Sequence, residues 1–472
     1  MMQTQIIPLE TLRGGQASAA PFPLATTAPF ALARTFDEGP AVRRVAIWGT
    51  GACARELLPL LSPDIDVLAF VDNRASNWGQ TFSDTPIVPP SDLRAVAYDR
   101  LIIASEAVAP ISRDLARLGL LDARVTQYTG RHDGWRIASL LAKPVFATLQ
   151  VGITTRCNLM CLHCPRDTDE SVYSDLSLEQ FDRYLSAFDP WQFGNLLVSD
   201  FGEVTIVKSF LSYLRAASAR GWRHIEFVTN ATNGKADLWD TIFRERLAQK
   251  LVISLEGTGE MFESVRGFSW TRFAANVKTI ADANARHGSR AQVVLNAVCM
   301  RSNLSALADV VDFAADHRAA LSFVHLNPSN QFNNPLGQYS NHLDQAPRAE
   351  VVATFAEILR RAAARGIKVM LPESFPELDA PVDGPVAAAV APPEPDTLRC
   401  YQPLRWVEID AQGHVYPCCQ MAKRHAVGSL ESATFEEVWE ADGYRGLLDG
   451  LRPGGVPIDV CRTCNMYNGK NF

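Results

Sequence analysis

The stretch TTRCNLMCLHCPRD, residues 154–167, brings Cys157, Cys161 and Cys164 within eight positions of one another, with His163 between the last two. It follows ATLQVGIT, a β-rich apolar run, and precedes the helical pattern LEQFDRYLSAF, so the three thiols sit on a loop that leaves a strand. In a long chain, clustered thiols are more often metal ligands or redox groups than disulfide partners. A zinc ion asks for four ligands, and His163 is a fourth on paper; but it directly precedes Cys164, and using both would strain the loop. Iron–sulfur clusters take about one thiolate per iron. Three thiolates on a four-iron cluster would leave one iron open to a chelating ligand.

Working outward, strand runs alternate with helical ones over 146–335. ATLQVGIT, NLLVSD, HIEFVTN, KLVISLEG, AQVVLNAV and LSFVHLN read as strands. LEQFDRYLSAF, FLSYLRAASARG, WTRFAANVKTIADANARHG and LADVVDFAADHRA read as helices between them. Six such units predict an α/β fold with an open, partial (β/α)6 TIM-like barrel, whose chemistry belongs at the C-terminal strand ends. Upstream, 41–132 carries RRVAIWGT, DVLAFVDN and YDRLIIAS as strands around short helices, a βαβ pattern with a parallel sheet. Residues 1–40 read as a flexible lead-in without an early basic cluster rather than a signal peptide. Over 336–395 a helix, RAEVVATFAEILRRAAARG, leads into a Pro- and Ala-rich linker, and 396–472 holds a second cysteine group.

Composition narrows the function classes. The 472 residues are 47% hydrophobic and 21% charged, with a formal net charge of -7, so bulk charge does not point to nucleic acid. No apolar run approaches the roughly 20 residues that span a bilayer, and a cytoplasmic protein without a membrane partner is expected. Of ten cysteines, Cys53 and Cys299 stand alone, while the others fall into the mid-chain group and a C-terminal one: Cys400, Cys418, Cys419, Cys461 and Cys464.

The C-x3-C-x2-C spacing after the first strand of a six-unit barrel resembles the radical S-adenosylmethionine (SAM) superfamily. That resemblance implies a [4Fe-4S] cluster on Cys157, Cys161 and Cys164, with SAM on the open iron. Reductive cleavage of SAM would give a 5′-deoxyadenosyl radical that abstracts a substrate hydrogen, fed by a flavodoxin- or ferredoxin-type electron donor. Further marks follow in order. SDFGEV is similar to the family's GGEP segment and gives Gly202 and Glu203 the SAM amino group, although Phe201 and Val204 depart from the pattern. FVTNATNG resembles the TNG end of the third strand. VISLEG assigns Ser254 and Glu256 to SAM, FESVRG makes Arg266 a SAM or structural contact, and VLNAV sets Asn296 near the adenine.

The C-terminal segment resembles the SPASM/Twitch extension of the same family. CYQPLRWVEIDAQGHVYPCC, VGSL, EEVW and a final C-x2-C match it in order, with a hairpin turn expected near Gly413. The seven-cysteine version holds two clusters; the later C-x5-C-x3-C portion is missing here. The resemblance therefore implies one auxiliary [4Fe-4S] cluster on Cys400, Cys418, Cys461 and Cys464, acting as an electron conduit, with a tetrahedral zinc site as the rival. Cys299 and Cys419 are buried thiols by default; the alternative is a thiol hydrogen donor for a substrate radical.

At the N-terminus, WGTGACAREL sets Gly49, Gly51 and Ala54 in a G-x-G-x-x-A array between strand and helix, and Asp72 ends the next strand. This is the Rossmann context for a nucleotide; a docking or dimerisation surface is the alternative. The domain resembles small nucleotide-binding modules attached to sugar-modifying enzymes rather than a winged-helix leader-peptide binder. The expected reaction is dehydrogenation or epimerisation of a carbohydrate-like or nucleotide-linked small molecule. Peptide modification by crosslinking, epimerisation or side-chain oxidation is the second reading, and a non-catalytic zinc- or nucleotide-binding module the third.

Overall fold

Val45, Ala46, Ile47 and Trp48 are all buried, as expected of a strand covered on both faces. They form β1 (Arg44–Trp48), which opens a six-stranded sheet with α1 (Ala52–Leu57), β2 (Asp66–Val71), β3 (Thr81–Phe82), β4 (Thr85–Val88), β5 (Arg100–Ile103), α2 (Val108–Leu118) and β6 (Val125–Gln127). The computed structural model describes residues 5–6, 42–122, 124–141, 145–166, 173–326, 335–371, 400–419, 421, 425–452 and 454–464. The expected N-terminal lead-in and the Pro- and Ala-rich linker lie outside these, apart from residues 5–6. Strand order in the first sheet is β3-β4-β2-β1-β5-β6. All its pairs are parallel except the β3/β4 hairpin. The order reverses between β1 and β5, the switch point of a doubly wound sheet.

The second sheet carries the alternation read over 146–335. Its strands are β7 (Phe146–Val151), β8 (Phe193–Val198), β9 (Ile225–Thr229), β10 (Lys250–Ser254), β11 (Gln292–Cys299) and β12 (Ala320–His325). They pair in sequential parallel order. The helices between them are α3 (Leu178–Ser186), α4 (Phe210–Ala219), α5 (Ala236–Arg244), α6 (Gly259–Arg266), α7 (Trp270–Arg286) and α8 (Val310–Asp316). Local chemistry sets their ends. Ser177 and Gln180 close a capping box at the start of α3, and Gly267 ends α6 in the left-handed region. After β12 come α9 (Arg348–Arg365) and β13 (Val369–Met370), the latter parallel to β12. Among the described residues the six core strands do not close on themselves.

At the other edge the C-terminal segment joins the same sheet. β14 (Trp406–Ile409) pairs in parallel with β7, Thr148 opposite Trp406 and Val151 opposite Ile409. β15 (His414–Tyr416) returns antiparallel to β14. β16 (His425–Ala426) and β17 (Gly428–Ser429) follow, with α10 (Phe435–Glu440), α11 (Asp442–Leu451) and α12 (Asp459–Thr463). Phe146 fastens the two segments, its ring 5.2 Å from Phe193 and 5.1 Å from Trp439. The turn between β14 and β15 is at Gly413, with φ at 76°; a Cβ there would lie 2.7 Å from Tyr184 Oη. Gly413→Ala is therefore expected to lower stability by ~1–3 kcal/mol through left-handed strain and overpacking. A lower urea midpoint at unchanged slope is the reading that checks it.

Candidate active site

The cysteine loop leaves the C-terminal end of β7, where the barrel places its chemistry, and several contacts fix its backbone. Thr154 Oγ1 donates to Asp175 at 2.6 Å, and Arg156 Nε reaches the same carboxylate at 2.8 Å. Leu162 N–H donates to Val265 O at 3.0 Å, and buried Arg166 holds Leu159 O at 3.0 Å. Glu203 N–H donates to Arg156 O at 2.8 Å. That approach needs a glycine beside it: a Cβ on Gly202 would stand 2.4 Å from Thr154 O and 2.5 Å from Arg156 O.

The three thiols are neighbours electrostatically. Burial pushes the Cys161 thiol up to about 11; Arg266 pulls it back, while Cys164 and Cys157 add to the rise. Burial raises Cys164 as well. Such thiols stay protonated until a metal centre holds them as thiolates. Two of the sulfurs already face N–H donors: Arg266 Nη1 lies 3.7 Å from Cys161 Sγ, and Asn230 Nδ2 lies 3.8 Å from Cys157 Sγ. Donors of this kind suit an electron-rich cluster sulfur. Among the described residues no three His, Cys, Asp or Glu side chains converge tightly enough for one metal ion. A cluster offers each thiolate an iron of its own, so its ligands stand further apart.

The surrounding residues divide. Ser254, the last residue of β10, is the register partner of Asn296 within β11, and both are half-buried on the same face. Glu203 is turned inward. Its Oε1 accepts from Thr205 N–H at 3.1 Å, Thr205 Oγ1 at 2.6 Å and Thr229 Oγ1 at 2.7 Å, and its Oε2 from Asn230 N–H at 2.6 Å. Burial raises its pKa against the pull of these bonds. Glu256 is fully buried and clasped by Arg266, with His163 Nε2 3.5 Å away. Burial acts to raise the Glu256 pKa, but Arg266 and His163 outweigh it and keep the carboxylate low. His163 therefore packs against the acid behind the cysteines; its Nδ1 is shielded and has no hydrogen-bond partner among the described residues. Asn230 is a contact that sequence reading missed, although the FVTN strand end was its signal.

In the C-terminal group, Cys400 and Cys461 are raised by burial, to about 11 and about 12. Cys464 and Cys419 both act on Cys400, and Cys400 and Cys464 act on Cys461. Cys418 is buried and acts on Tyr444, whose hydroxyl donates to Pro403 O. Cys419, left over in the sequence, thus also acts electrostatically on Cys400. Cys299 is fully buried at the end of β11, its thiol raised well above the ordinary range by burial and directed to Ala297 O at 3.8 Å.

The N-terminal array belongs to the first sheet. Gly49, with φ at 120°, lets the chain pass Ala104, where a Cβ would stand 2.5 Å from the carbonyl oxygen. Gly51 precedes α1, which is six residues long, and Ala54 is buried in it. Asp72 is tied up internally, accepting from Thr50 Oγ1 at 2.5 Å, Arg74 N–H at 2.8 Å and Asn77 Nδ2 at 3.0 Å. Burial acts to raise its pKa, but these bonds prevail and lower it.

Comparison with known proteins agrees with this layout. Residues 41–126 match the C2185-like N-terminal family, 151–314 the radical SAM superfamily, and 400–465 the SPASM iron-sulfur cluster-binding domain. The mycofactocin maturase MftC of Mycobacterium ulcerans (strain Agy99) is 25% identical over 326 residues, 67% of this chain and 79% of the relative. In fold, Streptococcus suis SuiB matches 68% of this chain and 71% of its own at 15% identity, with a TM-score of 0.51. SuiB bound to its precursor peptide SuiA matches 76% and 83% at 14% identity and a TM-score of 0.50. No helix among the described residues is long and apolar enough to cross a membrane. Thiol loop, strand order and matched domains converge: the chain is a radical SAM enzyme with a SPASM domain, and these domains imply SAM and [4Fe-4S] clusters as its cofactors.

Proposed function

We propose that this enzyme modifies a peptide, abstracting a hydrogen atom from it. The observation that carries the chemistry is the loop of Cys157, Cys161 and Cys164 at the C-terminal end of β7, with Arg266 and Asn230 directing N–H groups at two of the sulfurs. When bound there, a [4Fe-4S] cluster with one iron lacking a thiolate supplies the electron and the coordination site for cleaving SAM to the radical that takes the substrate hydrogen. Ser254 and Asn296 line the same end of the sheet, a position suited to SAM. Cys400, Cys418, Cys461 and Cys464 are assigned one auxiliary cluster, an electron conduit for an oxidative outcome.

The peptide substrate is supported by the 25% identity to a maturase over 79% of its length. A nucleotide-linked small molecule had the N-terminal array as its support, and Asp72 spends its acceptors on Thr50, Arg74 and Asn77. The test is anaerobic turnover with SAM, dithionite and peptides encoded beside this gene. A peptide two hydrogens lighter, or one carrying solvent deuterium at carbon, is expected together with 5′-deoxyadenosine. Formation of 5′-deoxyadenosine with mass change only in an added aminocyclitol or nucleotide-sugar would overturn the peptide reading.

A further inference from the structure

Glu256, two residues past the end of β10, carries a carboxylate that solvent does not reach. One guanidinium engages both of its oxygens: Arg266 Nε donates to Oε2, and Arg266 Nη2 donates to Oε1 at 2.6 Å. This fork orients the remaining nitrogen, Nη1, toward Cys161 Sγ at 3.7 Å. The acid is itself fixed, since Asn303 Nδ2 donates to the Glu256 carbonyl at 2.8 Å and to Val298 O at 2.9 Å. Arg266 is buried too, so water screens neither the charge nor the hydrogen bond. The contact on Cys157 differs in kind, because the Asn230 amide is neutral and is oriented by Asn158 Oδ1 at 3.0 Å.

We propose that Arg266, aimed by Glu256, is a positioning residue that sets the reduction potential of the centre held by Cys157, Cys161 and Cys164. The proposal rests on the reading of those thiols as ligands of a [4Fe-4S] cluster. Reduction adds one electron from a low-potential one-electron donor, with no bond made or broken in the protein. The added negative charge is stabilised by a nearby cation and by an N–H directed at sulfur. Glu256 opposes part of that effect, because its negative charge sits within the same buried pair. The two residues therefore act with opposite sign on one quantity, whereas a purely structural ion pair would not.

The experiment is a potentiometric titration of the anaerobically reconstituted full-length enzyme, read by electron paramagnetic resonance. The signal that shifts on adding SAM identifies the mid-chain cluster and separates it from the auxiliary one. Glu256→Gln, which keeps the guanidinium and removes the opposing charge, is expected to raise the potential. Glu256→Gln/Arg266→Met, which strands no buried charge, is expected to lower it relative to Glu256→Gln by at least a tenfold change in the reduced-to-oxidised ratio, about 59 mV for one electron. Arg266→Lys, which keeps the charge but not the fork, should fall between. Should one variant fail to load iron, the other two still give the comparison. Potentials unchanged from wild type, or a double variant whose potential is no lower than that of Glu256→Gln, would overturn the proposal. A wild-type protein with no SAM-sensitive cluster signal would instead overturn the ligand reading beneath it.

Discussion

Cys157→Ala is expected to reduce 5′-deoxyadenosine formation to the level of a protein-free control, while Cys461→Ala continues to cleave SAM and loses product. The two thiols belong to separate groups, one following β7 and one in α12 beyond the hairpin. Loss of Cys157 leaves two thiols in the loop and removes the sulfur that Asn230 Nδ2 faces at 3.8 Å. Loss of Cys461 removes a thiol that interacts with Cys400 and Cys464 and leaves the mid-chain loop intact. Chromatographic assay of 5′-deoxyadenosine and peptide product, with iron counted per chain, checks both halves. Equal SAM cleavage by the two variants would sink this division of roles.

The second large effect is on stability. Glu203→Ala is expected to cost ~1–3 kcal/mol, the range for leaving buried hydrogen-bond donors unsatisfied. The carboxylate satisfies four donors, and an alanine would strand the Thr205 and Thr229 hydroxyls and the Thr205 and Asn230 amides in a dry site. Glu203→Gln should lose less, because its carbonyl can keep the three donors on Oε1 while its amide faces the Asn230 N–H. Urea unfolding of the three proteins decides this. A residue that only held SAM would weaken SAM binding on mutation and leave the unfolding midpoint where it was.

The strands were legible because each is a short β-rich apolar run bounded by a helical period, and the ends of all six core strands fall within three residues of the segments read as strands. The thiol loop was legible from spacing. Less visible were partnerships made by tertiary approach. VISLEG marks Glu256 and FESVRG marks Arg266, but only α6 folding back on the strand end turns them into a pair aimed at Cys161. Asp72 likewise satisfied the fingerprint in sequence, yet the side chains that occupy it, Thr50 and Asn77, are ordinary polar residues until the turn brings them in.

The parallel pairing of β14 with β7 also orders the birth of the molecule. During synthesis β7 emerges first, and the strand that covers its outer edge arrives only after residues 152–405 have been made. Until then an apolar edge, with Phe146, Leu149 and Val151 beside it, is open to other strands. So distant a contact is slow to form. Nascent chains stalled before Trp406 should therefore need a chaperone to remain dispersed, and completion of the hairpin would end that dependence.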